Sequence, residues 1–108
     1  MTKAERARLS RLKEMPCIAC GRHGVDVHHI VDKGYRKHSG GHMATIPLCP
    51  WCHRGEPIGA LTVKATHEYH GPSMALHKRQ FVRYHGTERE LLAKVNERLR
   101  KSPTADSG

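Results

Sequence analysis

Four cysteines and a small set of histidines carry the chemistry of this 108-residue chain. Cys17 and Cys20 form one Cys-x-x-Cys knuckle, and Cys49 and Cys52 form a second. Between them stand His28 and His29, and His53 follows the second knuckle directly. Two knuckles supply four thiolates, which complete a tetrahedron around zinc and leave no coordination position open. Such a site is structural, and its binding free energy is folding free energy, on the order of 10 kcal/mol or more. A redox dithiol pair or an iron–sulfur cluster would use the same residues, but zinc suits a chain this small and basic better. The histidines call for different chemistry. Near pH 7 an imidazole can take a proton from water or bind a divalent ion.

The elements that must position these groups can be read from the same residues. Adjacent residues on a strand point to opposite faces. His28 and His29 therefore share one site only if a bulge or strand end re-aims one of them; otherwise they have different tasks. The stretch 25–31 alternates well enough for a strand, and 44–48 reads as its return partner. Between them, 33–41 is rich in Gly and basic residues and reads as a mobile basic loop. The residues from Pro50 to Arg54 start a short helix carrying His53, and 55–59 is a turn region.

Thr2-Lys3-Ala4-Glu5 has the form of a capping box. It predicts a helix that runs to Glu14, with Leu9 and Leu12 on one face and Arg8 among the cations coating the rest. Ser73 is expected to cap a helix ending near His85, where Gly86 is a plausible stop. Thr87-Glu88-Arg89-Glu90 is a second capping box, followed by a stripe of Leu91, Leu92, Val95 and Leu99. Residues 1–101 are thus expected to form a single zinc-stapled domain, and 102–108 a disordered polar tail.

Lys and Arg number 19 against 10 Asp and Glu, a net charge of +9. A field of that sign attracts polyanions, so the expected partner is nucleic acid. No apolar run is long enough to span a bilayer, and no signal peptide is visible, so a cytoplasmic location with reduced thiols is expected. Arg36, Lys37 and Arg54 flank the His set and are candidates for gripping the DNA backbone, which positions without reading bases. Neither a membrane nor a small-molecule substrate is expected. His67 and His70 read as surface residues rather than a metal pair, and His77 as a helix residue near cations. His23, His38 and His85 read as solvent-facing.

Cys17-x-x-Cys20, His28-His29-Ile30 and Leu48-Cys49-x-x-Cys52-His53 together resemble the HNH, or ββα-metal, endonucleases built on a treble-clef zinc scaffold. More of the chain, from about residue 12 to 100, looks like the phage recombination-enhancement nucleases, the Ref-like or RecA-dependent family. The residues that carry this second likeness include His42, 46–55, 71–75, Phe81 and 84–92. The resemblance implies an α+β fold: a small treble-clef scaffold with a ββα-metal core, flanked by an N-terminal helix and two C-terminal helices. It implies an HNH-type DNase, phage or prophage encoded and active in a bacterial host cell, that cuts DNA at RecA filaments during recombination.

By position, the resemblance makes His29 the general base, with His28 and His53 as ligands of a catalytic ion. His28 stands where the family usually has Asp. Ala44 stands where a middle Asn is usual, and His42 is the nearest polar residue to fill that place or to act as a further ligand. Besides the structural Zn²⁺, the implied cofactor is Mg²⁺ or Mn²⁺, although two imidazoles also suit Zn²⁺ or Ni²⁺. Two other readings use the same residues: a non-catalytic zinc module that binds nucleic acid, and a zinc-held adaptor that docks a protein through its C-terminal helices.

Overall fold

A computed structural model describes residues 1–101; the expected tail at 102–108 lies outside the described residues. The first capping box forms as the sequence predicts. The Thr2 hydroxyl accepts the Glu5 amide at 3.1 Å, and the Glu5 carboxylate accepts the Thr2 amide at 2.7 Å. Caps of this kind contribute about 1 kcal/mol. Helix α1 spans Lys3–Glu14 and ends at an extended Met15, as the residue before Pro16 requires.

Arg8 is not part of the solvated coat. It is buried, and it donates to the Thr45 hydroxyl at 2.9 Å, the Thr45 carbonyl at 2.7 Å and Asn96 Oδ1 at 2.8 Å. One guanidinium thus ties α1 to the second strand and to the last helix. Arg8→Met keeps the stem but removes all these bonds and strands the Thr45 carbonyl. We expect it to lower stability by about 3 kcal/mol, read as a fall in the urea midpoint of the zinc-loaded protein.

Strand β1, Asp26–His29, is shorter than expected and pairs antiparallel with β2, Thr45–Leu48. The register sets His28 opposite Ile46 and His29 opposite Thr45. Every residue of β2 is buried, and the Pro47 carbonyl accepts the Ile18 amide at 2.9 Å, which docks the first knuckle on the sheet.

The segment expected to be a mobile loop instead contains helix α2, Arg36–Ser39, and a 3-10 turn, Gly41–Met43. Gly40, at φ 119°, joins them, and a Cβ there would meet the Ala44 Cβ at 2.7 Å. Long-range contacts pin the segment. The buried Ser39 hydroxyl accepts the Lys33 amide at 3.0 Å, and Arg89 bridges Asp32 at 2.7 and 2.8 Å and the Ser39 carbonyl at 3.2 Å. Composition alone could not reveal a partner located 50 residues away.

Helix α3, Pro50–Arg54, carries the second knuckle, with Pro50 at its start and the Cys49 sulfur accepting the Cys52 amide. The C-terminal half departs from the expected pair of helices. An additional helix, α4 at Val63–His70, is capped by Thr62 through the Ala65 amide at 3.0 Å. The helix expected from Ser73 starts later, as α5 at Lys78–His85. Ser73 builds a turn instead: its hydroxyl accepts the Ala75 amide at 3.2 Å and its carbonyl the His77 amide at 2.8 Å. Helix α6, Glu88–Lys101, opens with the second capping box, Thr87 and Glu90 exchanging bonds of 3.1 and 2.9 Å.

Among the described residues the protein is therefore α+β, with one two-stranded sheet and six α-helices. Leu12, Ile30, Ile46, Leu48, Trp51, Phe81, Leu91 and Val95 fill the core, and Leu99 packs partly buried at its edge. No helix among the described residues is long and apolar enough to cross a membrane.

Candidate active site

The four cysteines converge. Their sulfur atoms all lie within 4.8 Å of one another, and Cys20 and Cys49 approach to 3.5 Å. A tetrahedral Zn–S4 site requires sulfurs about 3.8 Å apart, given a Zn–S bond near 2.3 Å, so the cluster fits zinc. Amides of Cys20 and Cys52 point at the sulfurs of Cys17 and Cys49, each at 3.5 Å. These donors suit anionic sulfur. The crowding also polarises the thiols. Bonds from Cys20, Cys49 and Cys52 drive Cys17 far down towards thiolate, while Cys52 is pushed up, chiefly by Cys17. A divalent cation removes that conflict by accepting all four as thiolates.

The histidines divide into two pairs, as strand alternation requires. His28, half-buried, lies beside His53 of α3, with ring centroids 5.0 Å apart. His29 turns instead to His42 of the 3-10 turn; the centroids are 5.0 Å apart, and Nε2 of His29 meets Nδ1 of His42 at 2.9 Å. Burial pushes the His29 pKa down from 6.5, and the positive charge of Arg36 on α2 adds to the shift. Both effects favour the neutral ring, and His29 Nδ1 has no hydrogen-bond partner among the described residues.

Two carboxylates that motif reading did not single out complete the first pair. Asp26 accepts from His53 Nδ1 at 3.0 Å and from Arg54 Nε at 2.9 Å. The His53 bond, then Arg54, holds its carboxyl below the ordinary range. Glu88, from the first turn of α6, is buried. Its Oε2 lies 2.8 Å from His28 Nε2 and 3.2 Å from the Val31 amide, and its Oε1 lies 3.1 Å from Lys78 Nζ. These partners, His28 first, hold its pKa down to about 2.

The sequence carried a signal for Asp26, which lies two residues before His28 and so on the same strand face. Glu88 carried none, because it is 60 residues distant from His28.

The donor chemistry at His28 and His53 fits a divalent ion of the Mn²⁺ or Zn²⁺ kind, with water or phosphate oxygens filling the remaining positions. The cysteines form the sole group of three or more His, Cys, Asp or Glu among the described residues whose donor atoms cluster this closely. Around the site, Arg36 and Lys37 are exposed on α2. Arg54 is exposed too, but it is paired with Asp26 and with Glu56 at 3.0 Å.

The remaining histidines do other work. His67 bonds Gln80 at 2.7 Å and stacks on His77, with centroids 3.7 Å apart. His77 stands at the N-terminal boundary of α5 rather than within it, and its Nδ1 accepts the Ser73 amide of the preceding turn at 3.1 Å. His85 packs half-buried on Phe81, whereas His23, His38 and His70 are exposed.

Fold and site thus define a small, basic α+β protein with a four-cysteine cluster suited to zinc and a histidine-rich face beside it. The sequence matches, over residues 1–100, the family model described as recombination enhancement, RecA-dependent nuclease. The chain belongs to that family, whose description is that of a nuclease acting in recombination.

Proposed function

We propose that this chain is a metal-dependent DNA endonuclease of the HNH, or ββα-metal, type, that it acts on DNA engaged by RecA filaments in phage recombination, and that the cysteine cage is its treble-clef scaffold. The observation that carries the reading is His29: a half-buried imidazole at the end of β1, its pKa lowered by burial and by Arg36, with Nε2 against His42 and no hydrogen-bond partner at Nδ1 among the described residues.

In this mechanism His29 Nδ1 takes a proton from the water that attacks the phosphodiester. His42 fixes the ring through Nε2 and so fills the place of the family's middle Asn. His28 and His53 would hold the divalent ion, Mg²⁺ or Mn²⁺. When bound, the ion supplies positive charge against the oxyanion that grows in the transition state. Arg36 and Lys37 would grip the sugar-phosphate backbone without reading bases. Arg54 does so less strongly, because Asp26 and Glu56 already engage it.

The test is the pH dependence of plasmid nicking with Mn²⁺. A base whose pKa lies below 6.5 works in its neutral form, so the rate should hold at pH 7 and fall only on acidification, with an apparent midpoint below 6.5. A rate flat down to pH 5 would remove His29 as the base. The net charge of +9 would also serve a non-catalytic zinc module that binds nucleic acid. That second reading predicts salt-sensitive DNA retention with no nicking under any ion.

A further inference from the structure

The two imidazoles of the first pair are each held from behind. His53 meets Asp26 through Nδ1 at 3.0 Å, and His28 meets Glu88 through Nε2 at 2.8 Å. The carboxylates arrive from unrelated places, one from β1 and one from α6, yet they make the same kind of contact. An ionised carboxylate has only acceptors, so in both contacts the ring nitrogen must carry the proton. The opposite nitrogen of a neutral ring is then a lone pair. Carboxylate–imidazole pairs of this kind orient metal-binding histidines and raise their basicity.

The capping box of α6 does not use Glu88. Glu90 already closes the capping box of α6 with Thr87, at 2.9 and 3.1 Å. Glu88 instead turns back over β1, buried, and is anchored by the Val31 amide and Lys78. A surface salt bridge would need neither the burial nor the second anchor.

We propose that Glu88 and Asp26 are positioning residues that fix the two rings, so that His28 presents Nδ1 and His53 presents Nε2 to the divalent ion. The inference rests on the metal-centre reading above and specifies which atoms of that centre bind. Glu88 also couples α6 to β1, so the C-terminal helix becomes part of the site.

The test uses the full chain with its zinc loaded and has two readouts that do not depend on nuclease activity. Long-range 15N NMR of the histidine rings should show the proton on Nε2 of His28 and on Nδ1 of His53. Mn²⁺ titration followed by EPR should show Glu88→Leu binding roughly 10- to 100-fold more weakly than wild type. Glu88→Gln keeps an acceptor oxygen and should lose less. Asp26→Ala alters a more exposed carboxylate, so it tests the same idea with less risk to folding. It should weaken Mn²⁺ binding and release the His53 tautomer while zinc content and Tm hold.

A His28 proton on Nδ1, or a Glu88→Leu variant with wild-type Mn²⁺ affinity at full zinc content, would overturn the assignment. Wild-type protein that takes up no Mn²⁺ would overturn the metal-centre reading and this inference with it. Wild-type uptake that both carboxylate variants leave unchanged would overturn the inference alone.

Discussion

Replacing His29 with Ala should reduce DNA nicking by roughly 10²- to 10⁴-fold, the contribution of a positioned general base. The loss should fall on the chemical step alone. His29 is half-buried and contributes no atom to the cysteine cluster, and its one side-chain bond among the described residues is to His42. Zinc content, circular dichroism and retention on DNA should therefore stay near wild type. Under single turnover the cleavage rate should collapse while the DNA concentration for half-saturation holds. A variant that nicks at the parental rate would remove His29 from the mechanism. A variant that also loses zinc would show that the residue has a structural role.

Replacing Cys20 with Ala should abolish folding rather than weaken it. Four thiolates around zinc contribute on the order of 10 kcal/mol or more, which matches or exceeds the whole stability of a typical domain. Cys20 is the least buried of the four cysteines, so the packing lost with its side chain is small and the effect isolates ligation. The cluster also holds the site together. The first knuckle docks on β2 through Ile18 and Pro47, and the second knuckle is the start of α3, which carries His53. Without the ion, His53 would lose its fixed distance from β1. The expected result is a chain without bound zinc, with lost helical ellipticity and no cooperative thermal transition. A variant that melts within a few degrees of wild type would show that the core stands without the metal. Chelator treatment of the wild-type protein should give the same collapse, reversed by added Zn²⁺.

How much of this was legible beforehand varied with the range of the interaction involved. Local signals read well. Both capping boxes and the placement of His53 on α3 follow from residues within a few positions of one another, and the two strands were visible in their local alternation although they pair across 16 to 22 residues. The cysteine cluster was legible despite its sequence separation, because the type and spacing of its ligands are nearly diagnostic. Interactions between distant, ordinary residues did not read. Arg8 looked like one cation among many on α1, yet its fork is spent on Thr45 and Asn96. The loop at 33–41 looked mobile by composition, but Arg89 and Ser39 fasten it. Helix α4 was missed because its residues, Val63-Lys64-Ala65-Thr66-His67-Glu68-Tyr69-His70, bury only Thr66 and so carry no apolar stripe. At the histidine site, alternation along β1 left open whether His28 and His29 share their surroundings, and their different partners, Glu88 and His42, were visible only in three dimensions.

Cleavage of RecA-paired DNA, with single-stranded and plain duplex DNA beside it, by zinc-loaded protein before and after addition of Mg²⁺ or Mn²⁺ tests the account most directly. The account predicts no cutting until the second ion is added, then cutting of the paired substrate that is lost in His29→Ala. Full-rate cutting without added ion, or intact DNA under every ion from protein with a complete cysteine cage, would contradict it.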